Sequence, residues 1–366
     1  MRALIDAHML GGREGGNETY VAGLLTGFER IGDRVAFEVT ALVRPGFKPP
    51  ACAGGAVRYE ALASESDLHR LLFGLRRVCS RSAADILHST YISPPGLRCP
   101  LALSVHDVIF RSHPEYFSPR DRLLLSLLVP PSIRKAKVIL TLSEASRRQI
   151  TSYYPVAAEK IRVVALAPGP VATVQPDMDK AKGISAGRRF ILAVGSLQPR
   201  KNLARLVEAY AACRAQGRTD AMLVIVGRSQ WKSSAIARAV DSRGLSADVV
   251  FAGFLPQEVL SGLYRRCEVF VYPSLVEGFG LPILEAMACG APVITSDRAP
   301  MSELGTGAAI LVDPDSTASI ADALARVMAD RDLRSRLREL GRLRAAEYTW
   351  QRMAEQTLEA YSWALQ

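Results

Sequence analysis

The chain has 366 residues, enough for two domains of ordinary size, and 49% of them are apolar, so two buried cores can be filled. The net charge of +10 lies mostly in the first half: residues 1–170 carry 22 Lys and Arg against 15 Asp and Glu, the remainder 24 against 21. A basic half suits anionic lipid or phosphorylated partners; the arginines are scattered without a nucleic-acid motif, which sets nucleic acid aside, and no apolar run of about 18 residues provides a membrane span.

Met1 to Asp6 runs straight into a strand, Ala3–Ile5, without the layout of a signal peptide. The stretch Gly11-Gly-Arg13-Glu-Gly15-Gly16-Asn17-Glu-Thr19-Tyr20 follows and leads into a helix. Its glycines permit close backbone approach, but their spacing is not that of the dinucleotide fingerprint. Further strands are expected at Phe37–Val43, Ile86–His88, Leu101–Val105, Val138–Leu142 and Ile161–Val164. His88 closes one of them, with Tyr91 shortly after. His106 and Asp107 close the next, on the side where open sheets bind ligands. Ser118 to Lys137 mixes leucines with basic residues. It reads either as a core helix, the favoured reading, or as a helix lying on a membrane surface beside a lipid-linked acceptor. Thr141 to Ser146 passes from strand to helix with Ser143 as N-cap and reads as structural.

Ala167–Ala186 has weak periodicity and reads as a linker. Beyond it come strands at Phe190–Val194, Met222–Val226, Val249–Phe251, Val269–Tyr272, Pro292–Thr295 and Ala309–Val312. Strands separated by helical patterns imply an α/β chain of two doubly wound parallel sheets, residues 1–168 and 187–348, with a cleft between facing strand ends. The final stretch, 349–366, is an amphipathic helix with Thr349 as N-cap and Trp350, Met353, Leu358, Tyr361 and Trp363 as apolar anchors. The six cysteines, Cys52, Cys79, Cys99, Cys213, Cys267 and Cys289, show no C-x-x-C spacing and read as reduced thiols of a cytosolic protein.

Chemistry concentrates in the second half. Strand Phe190–Val194 ends at Gly195, and Arg200 and Lys201 sit on the turn that follows, where two cations can neutralise a diphosphate. Gly253-Phe254-Leu255-Pro256 leaves another strand end. Most telling is Ser274-Leu-Val-Glu277-Gly278-Phe279-Gly280-Leu281-Pro282-Ile-Leu-Glu285. Two carboxylates eight positions apart flank a Gly-Phe-Gly loop that opens into a helix. Pro282 suits the helix start and Gly290 the residue past its end. A helix N-terminus favours a phosphate, and flanking carboxylates favour hydroxyls. A nucleotide-sugar has that layout. Asp177-Met-Asp179 and Asp313-Pro-Asp315 are D-x-D triplets, but one lies in the linker and one in a Pro-containing turn, so no metal is expected.

Together these segments resemble glycosyltransferase family 4, whose signature is E-x7-E, and the resemblance covers nearly the whole chain. It implies the GT-B architecture: two Rossmann-like domains facing across a cleft, with the last helix crossing back to the first domain. It also implies a retaining transferase that needs no metal or other cofactor. The nucleotide-sugar donor would be held through Gly15, Gly16, Arg200, Lys201, Phe254, Leu255, Gly278, Phe279, Gly280 and Leu281, with Glu277 at the sugar and Glu285 at the ribose. His106 would lie under the donor sugar. Asn17, Tyr20, His88, Tyr91 and Asp107 would line the acceptor side, with Asp107 orienting its loop and not reacting. Many family members place an arginine directly after the strand-end glycine, where this chain has Ser196, which puts more of the charge work on Arg200 and Lys201. The strand ends resemble mannosyltransferases of polysaccharide assembly. GDP-mannose is therefore the favoured donor, with UDP-hexoses or GDP-fucose as alternatives. The acceptor is expected to be a lipid-linked saccharide, which implies a cytoplasmic enzyme in peripheral contact with the inner face of the membrane. A GT-B sugar-nucleotide epimerase and a non-catalytic sugar-nucleotide-binding protein are the other readings.

Overall fold

The computed structural model describes residues 1–12, 15–32, 37–49, 55–228 and 234–366; Arg13 and Cys52 lie outside them. The chain divides into two compact units, one made of Met1–Ala167 with Tyr348–Gln366, the other of Pro168–Glu347.

The first unit holds a seven-stranded sheet: β1 (Arg2–Asp6), β2 (Glu38–Val43), β3 (Val57–Ala61), β4 (Ile86–Thr90), β5 (Leu101–Ser104), β6 (Val138–Thr141) and β7 (Ile161–Val163). The order is β3-β2-β1-β4-β5-β6-β7 and every pairing is parallel. Helices cover both faces, so the inner strands read as short apolar runs; all four residues of β5 are buried. Leu4, Leu42, Leu87, Leu103 and Ile139, from five neighbouring strands, share one core cluster. β3 was not expected from the sequence. It is an edge strand, and its Val-Arg-Tyr-Glu-Ala lacks a buried apolar run because one side faces water.

The tail helix Trp350–Ala364 belongs to this unit and packs along the helix Gly16–Ile31. Thr349 caps it, its hydroxyl accepting from the Arg352 N–H at 3.1 Å. Two glycines make the close crossing possible. A Cβ at Gly27 would lie 2.1 Å from the Trp350 carbonyl oxygen, and one at Gly23 would lie 2.1 Å from the Trp350 ring. Trp350, Met353 and Tyr361 are buried. Trp363 is exposed instead, with the Arg162 guanidinium 4.7 Å from its ring centroid. The leucine-rich segment forms the helix Pro119–Lys135, capped by Ser118, but only Val129, Ser132 and Ile133 of it are buried. The expected core helix is fully buried only in its last part, with Leu125 partly buried against the core before it.

The second unit holds β8 (Phe190–Val194), β9 (Met222–Val226), β10 (Val249–Gly253), β11 (Val269–Tyr272), β12 (Val293–Ser296) and β13 (Ile310–Val312). Their order is β10-β9-β8-β11-β12-β13, again parallel throughout. The order reverses between β8 and β11, so the loops leaving these two strands diverge to opposite faces and leave a crevice at their carboxyl ends. The expected linker is part of this unit. Its helix Met178–Ile184 is capped by Asp177, whose carboxylate accepts from the Lys180 N–H at 3.0 Å, and Asp177 donates its own N–H to the Glu258 carbonyl at 2.9 Å. The segment is short and polar on one side, which hides its packing from a periodicity count. Asp315, of the other D-x-D triplet, pairs with Arg205 at 3.2 Å and with Arg298.

Replacing Gly27 by Val should force the tail helix off its seat. The expected loss is about 2–3 kcal/mol, read as a lower Tm and as early proteolytic removal of the tail.

Candidate functional site

In the second unit, β8 ends at Gly195 (φ +151°) beside Gly227 (φ +156°) at the end of β9. A Cβ at Gly227 would lie 1.9 Å from the Gly195 carbonyl oxygen, so only glycine lets these strand ends come together. The chain then makes the short turn Pro199–Lys201 and passes through Asn202, which holds a left-handed conformation (φ 60°). Asn tolerates that conformation better than most residues. Its Nδ2 donates to the Pro273 carbonyl at 3.0 Å and to the Pro314 carbonyl at 2.6 Å. Asn202 thus ties the turn after β8 to the loop after β11, a role the sequence reading did not assign.

The result is a charge cluster at the point where the strand order reverses. The Glu277 carboxylate, buried, accepts from Arg200 Nη1 at 2.5 Å and from Lys201 Nζ at 2.6 Å. Arg200 also donates to the Val276 carbonyl at 3.3 Å and from Nε to Gln198 Oε1 at 3.0 Å. Lys201 Nζ reaches the Tyr272 hydroxyl at 2.5 Å. Tyr272, the last residue of β11, is a second partner that sequence reasoning missed, since it read there only as strand. Burial alone would raise the Glu277 pKa, but the Arg200 and Lys201 charges outweigh it and hold the carboxyl down at about 2. Burial pushes Lys201 down to about 8 against the opposing pull of Glu277. Near neutral pH the three side chains carry one net positive charge. Glu277 is then only an acceptor: it can receive hydroxyl hydrogen bonds and cannot give a proton.

From Glu277 the loop runs through Gly278 and buried Phe279 to Gly280 (φ +103°), which caps the helix Leu281–Ala288. Pro282 lies in its first turn, one position later than expected, and Gly290 (φ +77°) follows its end. Leu281 is half-buried. Glu285, one turn into the helix, is also half-buried; protein packed around its carboxyl raises the pKa to about 7, against the lowering effect of a 3.4 Å hydrogen bond from the Tyr264 hydroxyl. At the end of β10, Phe254 is exposed with the Arg228 guanidinium 4.3 Å from its ring centroid, and Leu255 is half-buried beside it. The apolar ring and its cation make a stacking surface.

In the first unit, a second group gathers at the ends of β1, β4 and β5. Gly15 (φ +64°) caps the helix that starts at Gly16, and both glycines are exposed. Asn17, at its second position, places Oδ1 3.0 Å from Nδ1 of His106. Burial lowers the His106 pKa to about 4, so the ring is neutral at physiological pH. Its Nδ1–H donates to Asn17, which leaves Nε2 as an acceptor; that atom is enclosed and has no partner among the described residues. Tyr20 and Tyr91 pack on the ring with centroids 4.4 and 5.5 Å away. Tyr91 accepts at its hydroxyl from the Asp107 N–H at 3.3 Å, and Asp107 accepts from the Ile109 N–H at 3.0 Å. Asp107 therefore shapes its loop.

His88 requires a correction. It was expected on an acceptor surface, but it is buried, with Nδ1 2.6 Å from the Tyr361 hydroxyl and Nε2 2.6 Å from Ser104 Oγ. Tyr20 joins the same network through Ser104 at 2.6 Å and is buried too, so it faces His106 and the core and not the surface. Burial drives the His88 pKa down to about 3, so a neutral ring links β4 to the tail helix. A strand-end histidine looks alike in sequence whether it points out or in. Asp6, at the end of β1, is a further buried acid missed by the sequence reading; it pairs with Arg70 and with His8 Nδ1 at 2.9 Å.

Two family descriptions match the chain: "Glycosyltransferase Family 4" over residues 14–166 and "Glycosyl transferases group 1" over residues 174–344. O-antigen chain mannosyltransferase B of Escherichia coli is 31% identical over 263 residues, covering 70% of this chain and 68% of that protein. The serotype-specific mannosyltransferase WbdA of Escherichia coli is 28% identical over 239 residues, which span 63% of this chain but only 29% of that protein. Among solved structures, a sucrose-phosphate synthase from Thermosynechococcus elongatus superposes with a TM-score of 0.76 at 21% identity, covering 99% of this chain and 98% of that one. HepE of Anabaena, in complex with UDP and glucose, gives a TM-score of 0.74 at 18% identity with 99% of both chains covered.

Glu277→Gln should leave buried Lys201 and half-buried Arg200 without this counter-charge and lower stability by about 3 kcal/mol, roughly 6–12 °C in Tm for a unit of this size. Adding Lys201→Met should recover part of that loss. Calorimetry of the two single variants and the pair checks it, and strictly additive losses would contradict the coupling.

Proposed function

The chain belongs to glycosyltransferase family 4, and we propose that it is a retaining mannosyltransferase that takes mannose from GDP-mannose and extends a lipid-linked saccharide, without a metal or other cofactor. The observation that carries this reading is the Arg200–Glu277–Lys201 cluster at the strand-order reversal of the second unit. A cluster with one net positive charge beside the positive end of a helix suits a diphosphate. Mannose as the transferred sugar is supported by relatives named as mannosyltransferases. A cytoplasmic location accords with the free thiols at Cys79, Cys99, Cys213, Cys267 and Cys289.

The chemistry follows from this placement. The bond from the anomeric carbon to the diphosphate breaks as the bond to the acceptor oxygen forms on the same face. Negative charge grows on the leaving diphosphate, where Arg200, Lys201 and the start of the helix Leu281–Ala288 lower the barrier. The departing phosphate oxygen takes the acceptor proton, so no protein base is needed. Glu277 receives sugar hydroxyls, and Glu285 receives the ribose hydroxyls. Phe254 and Leu255 supply the surface for the base. In the first unit, neutral His106 presents an acceptor nitrogen to a sugar hydroxyl.

Donor affinity should be bell-shaped in pH. Glu285 must lose its proton to accept from the ribose, so affinity rises through about pH 7; Lys201 loses its charge above about pH 8, so affinity then falls. Each limb changes by up to about tenfold per pH unit. Calorimetric titration with GDP between pH 6 and 9 reads both limbs. Glu285→Gln should remove the acid limb and Lys201→Arg the alkaline one, and a flat wild-type profile would reject both assignments.

A thermal-shift panel should rank GDP-mannose above UDP-hexoses and GDP-fucose, with mass spectrometry and NMR identifying an α-linked product. Conversion of the sugar without an acceptor would instead indicate an epimerase, and tight binding without turnover a binding protein.

A further inference from the structure

In the second unit each cysteine directs its thiol to the main chain. Cys213 donates to the Ala321 carbonyl at 3.1 Å, Cys267 to that of Tyr264 at 3.3 Å and Cys289 to that of Val171 at 3.6 Å. Burial raises the pKa of all three, so they stay protonated and inert. The first unit breaks this pattern. Cys79 is buried on the helix Leu75–Arg81, and Cys99, half-buried, lies two positions before β5. The two belong to one core cluster, and the Cys79 thiol is hydrogen-bonded to the Cys99 sulfur.

The fold sets this meeting on three sides. The turn before β5 passes through Gly96 (φ +67°), where a Cβ would lie 3.3 Å from the Arg76 guanidinium carbon. Arg76 shares a helix with Cys79, so that helix rests against the turn that carries Cys99. The Leu87 N–H of β4 donates to the Pro100 carbonyl at 2.9 Å, which anchors the end of the turn. From the other side comes Lys135, the last residue of the helix Pro119–Lys135, with Nζ 3.5 Å from the Pro94 carbonyl. The Cys79 hydrogen bond, then main-chain groups and the Lys135 charge, bring the Cys99 pKa below the ordinary thiol value against the effect of burial. The hydrogen bond to Cys99, burial and the Cys99 charge raise that of Cys79. The thiolate therefore forms on Cys99, the more accessible of the two, while Cys79 keeps its proton. A pair that served packing alone would leave both thiols protonated and sealed.

We propose that Cys99 and Cys79 are a redox modification site, with Cys99 the thiol that a hydroperoxide oxidises and Cys79 the thiol that resolves it into an intramolecular disulfide. In the first step the Cys99 thiolate attacks a peroxide oxygen. The O–O bond breaks, hydroxide leaves, and Cys99 becomes a sulfenic acid. That change removes the negative charge that had held the proton on Cys79. In the second step the Cys79 sulfur attacks the Cys99 sulfur. The S–S bond forms, the S–O bond breaks, and the hydroxide departs with the Cys79 proton as water. Two thiols and one hydrogen peroxide thus give one disulfide and two waters. Sulfurs already in hydrogen-bond contact have the converging side chains that a disulfide requires. The bond ties the helix Leu75–Arg81 to the lead-in of β5, and exchange with a small thiol reverses it. The inference goes beyond the transferase reading and does not rest on it, since neither sulfur belongs to the charge cluster of the second unit.

The test treats the full chain with hydrogen peroxide at neutral pH, blocks the remaining thiols with iodoacetamide and maps the cysteines by mass spectrometry. The wild type should lose about 2 Da and yield a linked Cys79–Cys99 peptide that dithiothreitol releases. Its Tm should rise by about 5 °C, with GDP affinity unchanged. Cys79→Ala should stop at the Cys99 sulfenic acid, which dimedone traps. Cys99→Ala should leave Cys79 at least about tenfold slower to oxidise. Before oxidation, iodoacetamide should label Cys99 ahead of Cys79, Cys213, Cys267 and Cys289, and Lys135→Gln should move the midpoint of that labelling to higher pH. The proposal is overturned if Cys79 and Cys99 are recovered unlinked after oxidation, or if the linked species joins two copies of the chain. It is also overturned if Cys99 is labelled no faster than Cys213. None of these readings uses donor or acceptor, so their failure leaves the transferase reading standing, and absence of transfer leaves this one standing.

Discussion

A buried carboxylate held between two cations is the constraint on which the second unit depends. Glu277 arrives on the loop after β11, Arg200 and Lys201 on the turn after β8, and these are the strands between which the sheet order reverses. Removing three charges from water is unfavourable unless each finds a partner. The cluster meets that condition through Tyr272, Gln198 and the Val276 carbonyl as well as through its own ion pairs. Asn202, in the same turn, adds a neutral tie to Pro273 and Pro314. The groups that would meet a diphosphate are thus already fixed in place by one another, which is the condition under which charge stabilisation is effective.

Around His88 and His106 the first unit uses the opposite strategy. Apart from the buried Asp6–Arg70 ion pair at the end of β1, the polar groups there are neutral. His88, Ser104, Tyr20 and Tyr361 exchange short hydrogen bonds without a formal charge, and His106 is kept neutral by burial and held by Asn17. Neutral networks in a low-dielectric interior fix geometry without the desolvation penalty of ions. The enclosed Nε2 of His106, without a partner among the described residues, is an exception, and such an orphan acceptor is unfavourable by about 1–3 kcal/mol. Its natural complement is a hydroxyl.

Most strands were legible because they are buried on both faces and bounded by turn residues; Phe190–Val194, Met222–Val226 and Val269–Tyr272 coincide with what the apolar runs predict. β3 was hidden because an edge strand alternates Arg58 and Glu60 with its apolar residues. The Met178–Ile184 helix was hidden because seven residues give too little periodicity to detect. The charged members of the second-unit cluster could be found from residue type and position after a strand. Tyr272 and Asn202 could not, since their roles depend on which loops meet in space. His88 shows the converse: a strand-end position suggested a surface role, and only the tail helix, more than 250 positions away in sequence, determines that it is sealed.

The return of residues 348–366 to the first unit has a consequence for how the molecule is made. On the ribosome, β1 through β7 emerge early but lack the helix that fills the Gly23–Gly27 groove and closes over His88. The segment Pro168–Glu347 is contiguous and can assemble its own sheet while still tethered. The unit whose strands are synthesised first is therefore the one completed later, once residues 348–366 have followed the second unit out of the ribosome.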